Sequence, residues 1–420
     1  MKIVERVARV DQSKCVGCKN CERHCPTDAI KVTPGVMPGY VPPCGTACPA
    51  GTDVQGYIAL AGAGRYEDAY RLIRQSNPFP SVCGRICNHP CQAACNRNDL
   101  DESVGIRDIK RFVADKAFEN GMPVVEKKRK SNGKKIAVIG AGPSGLSCAY
   151  YLQLSGYSVE VFESESVAGG VLAYGIPEYR LPKAVLNRDI QAIEATGVQI
   201  HLNTTVGEDV SFDELYKKFH AVYVSTGTQL SRKANIPGED MPGVYHGLDF
   251  LKAVNLGKPV EIGKKVAVIG GGNTAIDAAR TARRLGAEVT IVYRRQRNDM
   301  PCEERELLEA FEEGVRVLDL AAPVEVVGEG KVQGLKCVRM VPGVKDEKLR
   351  RSTTKTEEEF VVEVDNIIVA VSQYSDFPFI NKDEVVVSKA GRIVLDEKGM
   401  SSKPYVFAGG DVVPGDRNVT

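Results

Sequence analysis

The sequence has 420 residues, a formal net charge of +1 and a pI near 7.4. This length exceeds one ordinary hydrophobic core and predicts about two to four domains. The near-zero charge gives no electrostatic case for binding nucleic acid or an acidic membrane surface. No long uncharged apolar stretch and no signal-peptide pattern is present, so we expect a soluble, cytoplasmic protein without membrane insertion.

Residues 1–35 are predicted to form a ferredoxin-like segment. Ten of the thirteen cysteines lie in the first 95 residues, and in a cytosolic protein such clustering indicates metal rather than disulfides. Four of them have the spacing of the bacterial ferredoxin run and precede Pro26: Cys15, Cys18, Cys21 and Cys25. This spacing suits a [4Fe–4S] cluster, whereas structural zinc sites usually use two separated pairs. Only half of a two-cluster ferredoxin is present, so Cys25 could instead serve a second cluster.

Residues 36–123 are predicted to form a small α-helical domain held together by iron–sulfur clusters. Helical periodicity is present over residues 54–62, 66–74 and 106–119. Six more cysteines lie between or beside these segments: Cys44, Cys48, Cys83, Cys87, Cys91 and Cys95. The basic residues 124–133 then indicate a solvated linker.

The first dinucleotide-binding fingerprint follows an apolar strand over residues 134–139. Its small positions allow a tight turn, close approach to a pyrophosphate and close helix packing, and they are Gly140, Gly142 and Gly145. Glu163 closes the next strand and can accept hydrogen bonds from ribose hydroxyls, as expected for FAD or NAD. Residues 134–239 are therefore predicted as the first part of a domain that binds FAD or NAD.

The second fingerprint also follows an apolar strand, but the strand after it ends in different residues. An apolar strand over residues 264–269 leads into its small positions, Gly270, Gly272 and Ala275. Arg294 and Arg295 close the following strand, and guanidinium groups suit the 2′-phosphate of NADP rather than ribose hydroxyls. Residues 240–372 are predicted as the NADPH domain, with further phosphate contacts expected in the loop 294–304.

Residues 373–420 are predicted to be the second part of the domain that carries the first fingerprint. They contain a strand that runs into Ala408-Gly-Gly-Asp411. A further helix is expected after this motif, but the sequence stops at Thr420, so we expect the given chain to be truncated.

No residue is predicted to be catalytic in the sense of a nucleophile or base, because hydride transfer between nicotinamide and flavin is carried by the cofactors. A disulfide reductase of the thioredoxin-reductase kind would need a Cys-x-x-Cys beside the flavin. The second fingerprint's domain has only Cys302 and Cys337, far apart in sequence, and Cys148 is interpreted as a small core residue.

Several motifs in order resemble the small subunit of glutamate synthase. They include Cys83-Gly-Arg-Ile-Cys87, Gly140-Ala-Gly-Pro-Ser-Gly145, Gly169-Gly-Val-Leu-Ala-Tyr-Gly-Ile-Pro177, Arg180-Leu-Pro-Lys183, Gly270-Gly-Gly-Asn-Thr-Ala275, Tyr293-Arg-Arg295 and Ala408-Gly-Gly-Asp411. The resemblance covers about residues 40–420. It extends to the N-terminal part of dihydropyrimidine dehydrogenase and to the NADPH-binding subunit of bifurcating ferredoxin:NADP transhydrogenases.

The resemblance implies FAD at the first fingerprint, NADPH at the second and Asp411 on the flavin ribityl chain. The other cofactor-binding residues that it implies are Ser144, Gly170, Leu172, Thr226, Gly227, Asn273, Thr274 and Gly410.

Two departures from the family pattern concern the clusters. Family members usually carry cysteines where Val36 and Gly39 stand, and an acidic or amide cluster ligand where Lys110 stands. A protonated lysine cannot ligate iron. We therefore expect one cluster here, from Cys48, Cys87, Cys91 and either Cys95 or Cys44, with Cys83 buried and inert. Together with the N-terminal segment this predicts two [4Fe–4S] clusters, a third being the alternative.

The predicted fold class is α/β, with an NADPH domain inserted into an FAD domain, both Rossmann-like, preceded by a ferredoxin-like segment and a helical iron–sulfur domain. The predicted function is an electron-transfer flavoprotein subunit that passes electrons between NADPH, FAD and [4Fe–4S] clusters, with other redox subunits or ferredoxin as partners, in a complex that bifurcates electrons or does not. One alternative is a glutamate synthase small subunit that supplies a glutamate-forming partner. Another is a non-catalytic iron–sulfur scaffold or redox sensor.

Overall fold

The computed structural model describes residues 42–121, 128–345, 351–381 and 383–415. The ferredoxin-type cysteines Cys15, Cys18, Cys21 and Cys25, together with Val36 and Gly39, lie outside these residues. The described chain divides into two compact units. The first contains residues 42–121 and 184–196, and the second contains residues 128–183 and 197–415.

The described residues form thirteen α-helices. Their bounds are α1 Pro43–Thr46, α2 Val54–Gly62, α3 Tyr66–Arg74, α4 Pro80–Ile86, α5 Pro90–Ala93, α6 Ile106–Glu119, α7 Pro143–Leu154, α8 Val171–Tyr174, α9 Lys183–Glu194, α10 Phe212–Lys218, α11 Gly247–Asn255, α12 Asn273–Arg284 and α13 Glu304–Glu312. Short 3₁₀ turns occur at Asn96–Asp99, Arg297–Asp299 and Gly410–Val412. The three helices predicted in the cysteine-rich region are confirmed as α2, α3 and α6.

The described strands are β1 Lys135–Ile139, β2 Ser158–Phe162, β3 Gln199–His201, β4 Ala221–Val224, β5 Leu230–Ser231, β6 Val244–His246, β7 Lys265–Ile269, β8 Glu288–Val292, β9 Arg316–Leu318, β10 Ala321–Val327, β11 Gly334–Lys345, β12 Arg351–Glu363, β13 Asn366–Val369, β14 Gln373–Tyr374 and β15 Val406–Ala408.

The first unit is a helical bundle around one apolar core. Helices α2, α3 and α6 bury one face each, and Asp53 caps α2 by accepting a hydrogen bond from the Gly56 amide at 2.8 Å. The core joins Tyr57, Ile73, Cys91 and Val113. Residues 184–196 belong to this unit by packing, although the sequence analysis placed them within the FAD domain.

The second unit contains two parallel sheets of the same plan. The first has the strand order β15-β4-β1-β2-β3, and the second has the order β6-β13-β7-β8-β9. The strands β1 and β7 are apolar and buried after their first residue, as expected where helices cover both faces of a sheet. The fingerprints lie at the carboxyl ends of β1 and β2 in the first sheet and of β7 and β8 in the second, where parallel sheets bind ligands.

The second sheet is inserted into the first along the chain. The chain leaves the first sheet through β5 and returns through β14, and these two strands pair antiparallel. It then supplies β15, which pairs with β4. An antiparallel sheet, β10-β11-β12, is inserted between β9 and β13. The predicted α/β class with one dinucleotide-binding domain inserted in another is confirmed.

Candidate nucleotide sites and cysteine cluster

The glycines of the first fingerprint are required by two different constraints. Gly140 has φ +100°, and a Cβ there would lie 2.7 Å from the Ser225 carbonyl oxygen. A Cβ on Gly145 would lie 2.0 Å from the Gly140 carbonyl oxygen. At Gly142, by contrast, a Cβ would meet no described atom within 4 Å. Gly142 precedes α7 without a side-chain cap, so the first helical amides face open space that suits a pyrophosphate.

Glu163, which was predicted to accept hydrogen bonds from a ribose, also binds backbone amides of the fingerprint loop. Its two carboxylate oxygens accept hydrogen bonds from the Ala141 amide at 2.7 Å and from the Glu165 amide at 2.9 Å. Burial raises the pKa of Glu163, whereas these amides favour the ionised form. Glu163 therefore holds the fingerprint loop as well as lining the adjoining cavity.

This cavity has a volume of about 360 Å³, within the 300–1,000 Å³ range common for ligand sites. Its walls include Gly140, Glu163 and the turn at Thr226 and Gly227. The Thr226 hydroxyl is buried and makes no hydrogen bond with the part of the chain that the structure describes. Because a buried hydroxyl without a partner is costly, this site fits a ligand with hydrogen-bonding groups, as FAD has.

Other predicted FAD residues gather around the start of α7. A Cβ on Gly170 would lie 2.9 Å from the Gly142 Cα, and a Cβ on Gly410 would lie 2.7 Å from the Ser144 Cβ. The Ser144 hydroxyl lies 3.0 Å from the Tyr223 hydroxyl. These close contacts leave no room for side chains at either glycine, so the three loops form one surface beside the open fingerprint.

Leu172 and Asp411 take part through their own contacts. The Thr228 hydroxyl donates to the Asp411 carboxylate at 3.4 Å, and the Leu172 carbonyl accepts a hydrogen bond from the Lys183 ammonium at 3.2 Å. Lys183 also donates to the Ile176 carbonyl, and burial lowers its pKa to about 8. Sequence reasoning quoted Lys183 in a motif but gave it no role.

The second fingerprint repeats the open position. A Cβ on Gly272 would meet no described atom within 4 Å, and α12 begins without a side-chain cap. Gly270 and Gly271 have no such space. A Cβ on Gly270 would lie 2.4 Å from the Ala370 carbonyl oxygen, and a Cβ on Gly271 would lie 2.5 Å from the Tyr293 ring. The buried Ala275 takes the third small position. This fits a second nucleotide with its pyrophosphate at the start of α12.

Two predicted side chains of this site contact other loops. The Asn273 side-chain oxygen Oδ1 accepts a hydrogen bond from the backbone amide of Glu303, in the loop 294–304, at 2.9 Å. The Thr274 hydroxyl accepts one from the side-chain nitrogen Nε2 of Gln373 at 3.3 Å. Asn273 and Thr274 therefore hold neighbouring loops against the fingerprint.

Arg294 and Arg295 differ in their surroundings. Arg294 is exposed at the end of β8, where its guanidinium is available to a phosphate. Arg295 is half-buried, and its Nε donates to the Arg351 carbonyl at 2.7 Å. Arg351 in turn lies 3.0 Å from the Asp299 carboxylate, so the first residue of β12 fixes Arg295. Sequence reasoning missed the role of Arg351, because it lies 56 residues from Arg295 along the chain.

The cysteines of the helical unit lie close together. Cys44 and Cys48 pack against the core that includes Cys91, and burial together with these three thiols and Cys87 raises the pKa of the central Tyr57. Burial raises the pKa of Cys91 to about 11, and Cys87 and Cys48 add to that shift. Cys48, Cys87 and Cys91 thus form one group.

Cys44 and Cys95 form a second pair at the edge of this group. Burial, followed by the Cys95 thiol, raises the pKa of Cys44, and both side chains line an apolar cavity of about 290 Å³. Cys83 is 1% exposed with its pKa raised to about 12 by burial, as expected for an inert thiol. All nine cysteines in the described ranges are free thiols.

The amide of His89 donates to the Cys87 sulfur at 3.4 Å, with His89 held at φ 43°. Such amide–sulfur bonds stabilise negative charge on a metal-bound thiolate. Over the described stretches, no three Cys, His, Asp or Glu side chains converge on a point as one metal ion would require.

The other two thiols of the second sheet's domain do not form a redox pair. Cys302 packs at the edge of one apolar cluster, whereas Cys337 is buried inside a different one. Cys148, interpreted as a small core residue, is partly buried on α7.

Comparisons with known proteins assign each part of the chain. Residues 134–420 match the pyridine nucleotide-disulphide oxidoreductase family, residues 37–122 match dihydropyrimidine dehydrogenase domain II with a 4Fe-4S cluster, and residues 8–31 match the 4Fe-4S binding domain. The predicted FAD, NADPH and [4Fe–4S] cofactors are confirmed at the level of these domains. The individual contact and ligand residues stay predictions. None of the described helices has the length and apolar character needed to cross a membrane.

Similar proteins include the beta subunit of the NADP(+)-dependent formate dehydrogenase of Moorella thermoacetica, with 42% identity over 91% of this chain and 58% of the relative. The NADPH-Fe(3+) oxidoreductase beta subunit of Geobacter sulfurreducens is 40% identical over 90% of this chain and 61% of the relative. The chain thus spans about three fifths of the length of these two relatives. The glutamate synthase [NADPH] small chain of Escherichia coli is 38% identical over 89% of this chain and 84% of its own length.

Among solved structures, FprA of Mycobacterium tuberculosis in complex with NADPH has a TM-score of 0.58 at 20% identity, over 68% of this chain and 79% of that one. This likeness supports the two-domain fold. The chain belongs to the pyridine nucleotide-disulphide oxidoreductase family, in the group that includes the glutamate synthase small chain, and combines this fold with two 4Fe–4S domains.

Proposed function

We propose that this chain is an electron-transfer flavoprotein subunit that passes electrons between NADPH, FAD and [4Fe–4S] clusters, to or from a partner redox subunit. The observation that carries the proposal is the pair of open fingerprints with different strand ends. Glu163 closes the first, whereas Arg294 is exposed at the end of the second. Two chemically distinct nucleotides can therefore bind at once.

The cysteine-rich domains add a route for single electrons. FAD held at the first fingerprint would supply the chemistry that links two-electron hydride transfer to the single-electron transfer of iron–sulfur clusters. The residues of this chain orient the nucleotides and hold the clusters. For the cluster of the helical unit we propose Cys48, Cys87 and Cys91 as ligands with either Cys44 or Cys95, and for the N-terminal one the cysteines of residues 15–25.

The names of the relatives support a partner subunit. Two are described as beta subunits and one as a small chain, so each works within an assembly. We propose the same for this chain, with a cytoplasmic location. Ferredoxin as a partner and electron bifurcation at the flavin are finer forms of the proposal.

The decisive experiment is an anaerobic NADPH titration of the purified protein, followed by optical and EPR spectroscopy with iron quantified. Flavin bleaching, reduced-cluster signals and about eight irons per chain would support a relay with two clusters. Bleaching with little iron would reduce the function to that of an NADPH–flavin reductase. Iron without bleaching would favour the scaffold or sensor.

The NADPH assignment is tested by Arg294→Ala. The variant should bind NADPH about 10- to 150-fold more weakly, because a charge-assisted hydrogen bond contributes about 1.5–3 kcal/mol. FAD content should be unchanged. Arg316→Ala is the matched control, since Arg316 is an exposed arginine on β9 that pairs with Glu288. Equal NADPH affinity in both variants would contradict the assignment.

A second candidate function is that of a glutamate synthase small subunit, favoured by the similarity over 84% of the Escherichia coli chain. Co-purification with a glutamine amidotransferase chain would favour it. The additional match of residues 8–31 to a 4Fe-4S binding domain favours a larger redox complex instead.

A further inference from the structure

Lys110 is a lysine buried in the core of the cysteine-rich unit. It lies on α6 between Ile106 and Val113, which are both in the apolar core, and only 6% of the residue is exposed. Its Nζ is 5.9 Å from the centre of the Tyr57 ring. Lysine is almost never buried in this way unless its charge is paired.

The helix that leads to Cys87 crosses α6 at Arg111, the residue after Lys110. A Cβ on Gly84 of α4 would lie 2.7 Å from the Arg111 Cα, so only a glycine permits this approach. Cys91 belongs to the same cluster of buried residues as Tyr57, Ile106 and Val113. Lys110 therefore lies in the core that holds the thiol group.

Among the described residues, no carboxylate pairs with the charge of Lys110. Between residues 42 and 121 and elsewhere in the described ranges, no ion pair with Lys110 occurs, in contrast to Lys116 of the same helix, which pairs with Glu119. An uncompensated buried ammonium costs several kcal/mol.

Cluster binding resolves this imbalance. Cysteines that bind iron are deprotonated, and a cubane with cysteine thiolates is an anion. The site then gains negative charge beside Lys110, and reduction adds one charge more. A fixed positive charge stabilises the reduced form more than the oxidised form, and net charge is one of the factors that set cluster potentials.

We propose that Lys110 is the buried counter-ion of the cluster bound by Cys48, Cys87 and Cys91 and that it raises the reduction potential of that cluster. The inference rests on the proposed iron–sulfur centre. Its consequence is that this cluster accepts an electron more readily than it would without Lys110.

The test compares Lys110→Met, Lys110→Gln and Lys110→Arg with the wild type by EPR-monitored redox titration, with iron quantified. Lys116→Met on the same helix is the matched control. We expect the midpoint potential of one cluster to fall in Lys110→Met and Lys110→Gln, and to stay near the wild-type value in Lys110→Arg and Lys116→Met. Loss of that cluster in the two neutral variants, with retention in Lys110→Arg, would also support the counter-ion.

Unchanged potentials in iron-replete Lys110→Met would overturn the inference. So would conversion of a [4Fe–4S] signal to a [3Fe–4S] signal in the neutral variants, because Lys110 would then be an iron ligand. Cluster loss in Lys110→Arg as well would show that the charge is not what matters. Absence of iron from the wild type would instead contradict the proposed function itself.

Discussion

At the scale of single residues, Gly142 and Gly272 differ from the other fingerprint glycines. A side chain at either position would meet open space in the protein, whereas Gly140 and Gly145 face backbone carbonyls. Both have negative φ values, −73° and −90°, that any residue can adopt. The contacts of the described residues therefore do not require a glycine at either position, and we propose that a bound pyrophosphate does.

We predict that Gly272→Ala folds normally and keeps FAD but binds NADPH about 10- to 150-fold more weakly, the effect of losing one amide–phosphate hydrogen bond. Gly142→Ala should show the reverse, a loss of FAD with little change in the NADPH domain. FAD content and NADPH titration measure both effects.

Gly145→Ala is the contrasting variant, because its Cβ would lie 2.0 Å from a backbone oxygen. It should lower protein stability before any ligand is considered. Wild-type NADPH affinity in Gly272→Ala would contradict the placement of the second pyrophosphate.

At the scale of secondary-structure elements, a buried ionic network joins the loop after α8 to two helices of the second sheet's domain. The Arg180 guanidinium lies 2.7 Å from the Asp277 carboxylate on α12 and 2.9 Å from Glu306 on α13. Arg280 of α12 adds contacts to Glu309 at 2.9 Å and to Glu313 at 2.8 Å. The network holds the inserted domain against the first sheet's loop.

Arg180→Met is expected to destabilise the second unit by about 3–5 kcal/mol, because it leaves the Asp277 carboxylate buried without its main partner. Burial already raises the pKa of Asp277 to about 6 against the influence of Arg180. Urea unfolding followed by flavin fluorescence would measure the loss.

The double variant Arg180→Met with Asp277→Asn should recover part of the loss, since the unpaired charge is gone. Lys336→Met is the control, because its pair with the half-exposed Glu359 is screened by solvent and should contribute little to stability. An equally small loss in Arg180→Met would show that the network does not hold the domains.

The elements that could be predicted from the sequence are those set by local pattern. Apolar strands followed by glycines indicated both fingerprints, and the three predicted helices of the first unit have the expected bounds. The contacts of Arg180 and Arg295 could not be predicted, because their partners lie 97 and 56 residues away along the chain. No periodicity or spacing encodes such pairs.

At the scale of the whole molecule, residues 184–196 follow packing rather than sequence order. They join the first unit, where the Asp189 carboxylate accepts a hydrogen bond from the Val82 amide at 3.0 Å. The Arg74 guanidinium of the same unit lies 3.4 Å from the Ala192 carbonyl oxygen. Sequence reasoning missed this assignment because the amphipathic pattern of α9 shows that one face is buried but not against what.

Asp189 should make the stability of the first unit depend on pH. Burial raises its pKa from 3.8 to about 7, with Arg74 opposing the shift. The folded carboxyl thus holds its proton more tightly than the unfolded one, so its contribution to stability increases as pH falls through 7. From pH 8 to pH 6 this amounts to about 1 kcal/mol, since one pKa unit corresponds to about 1.4 kcal/mol.

The Asp189→Asn variant should lack this contribution, and the stability difference between wild type and variant should change between pH 6 and pH 8. Unfolding curves for the two proteins at both pH values measure it. A constant difference would show that Asp189 is ionised in the fold at both.

The packing of residues 184–196 in the first unit also limits which recombinants of such proteins can fold. Recombination at the linker near residue 128 would replace the cysteine-rich region that precedes it, here called the head, but would keep α9 from the original flavoprotein part. The new head would then need its own equivalents of Val82 and Arg74 to accommodate an inherited Asp189 and Ala192. We therefore expect the head and the flavoprotein part to be inherited together. Hybrids joined at that linker should fail to fold unless α9 is transferred with the head.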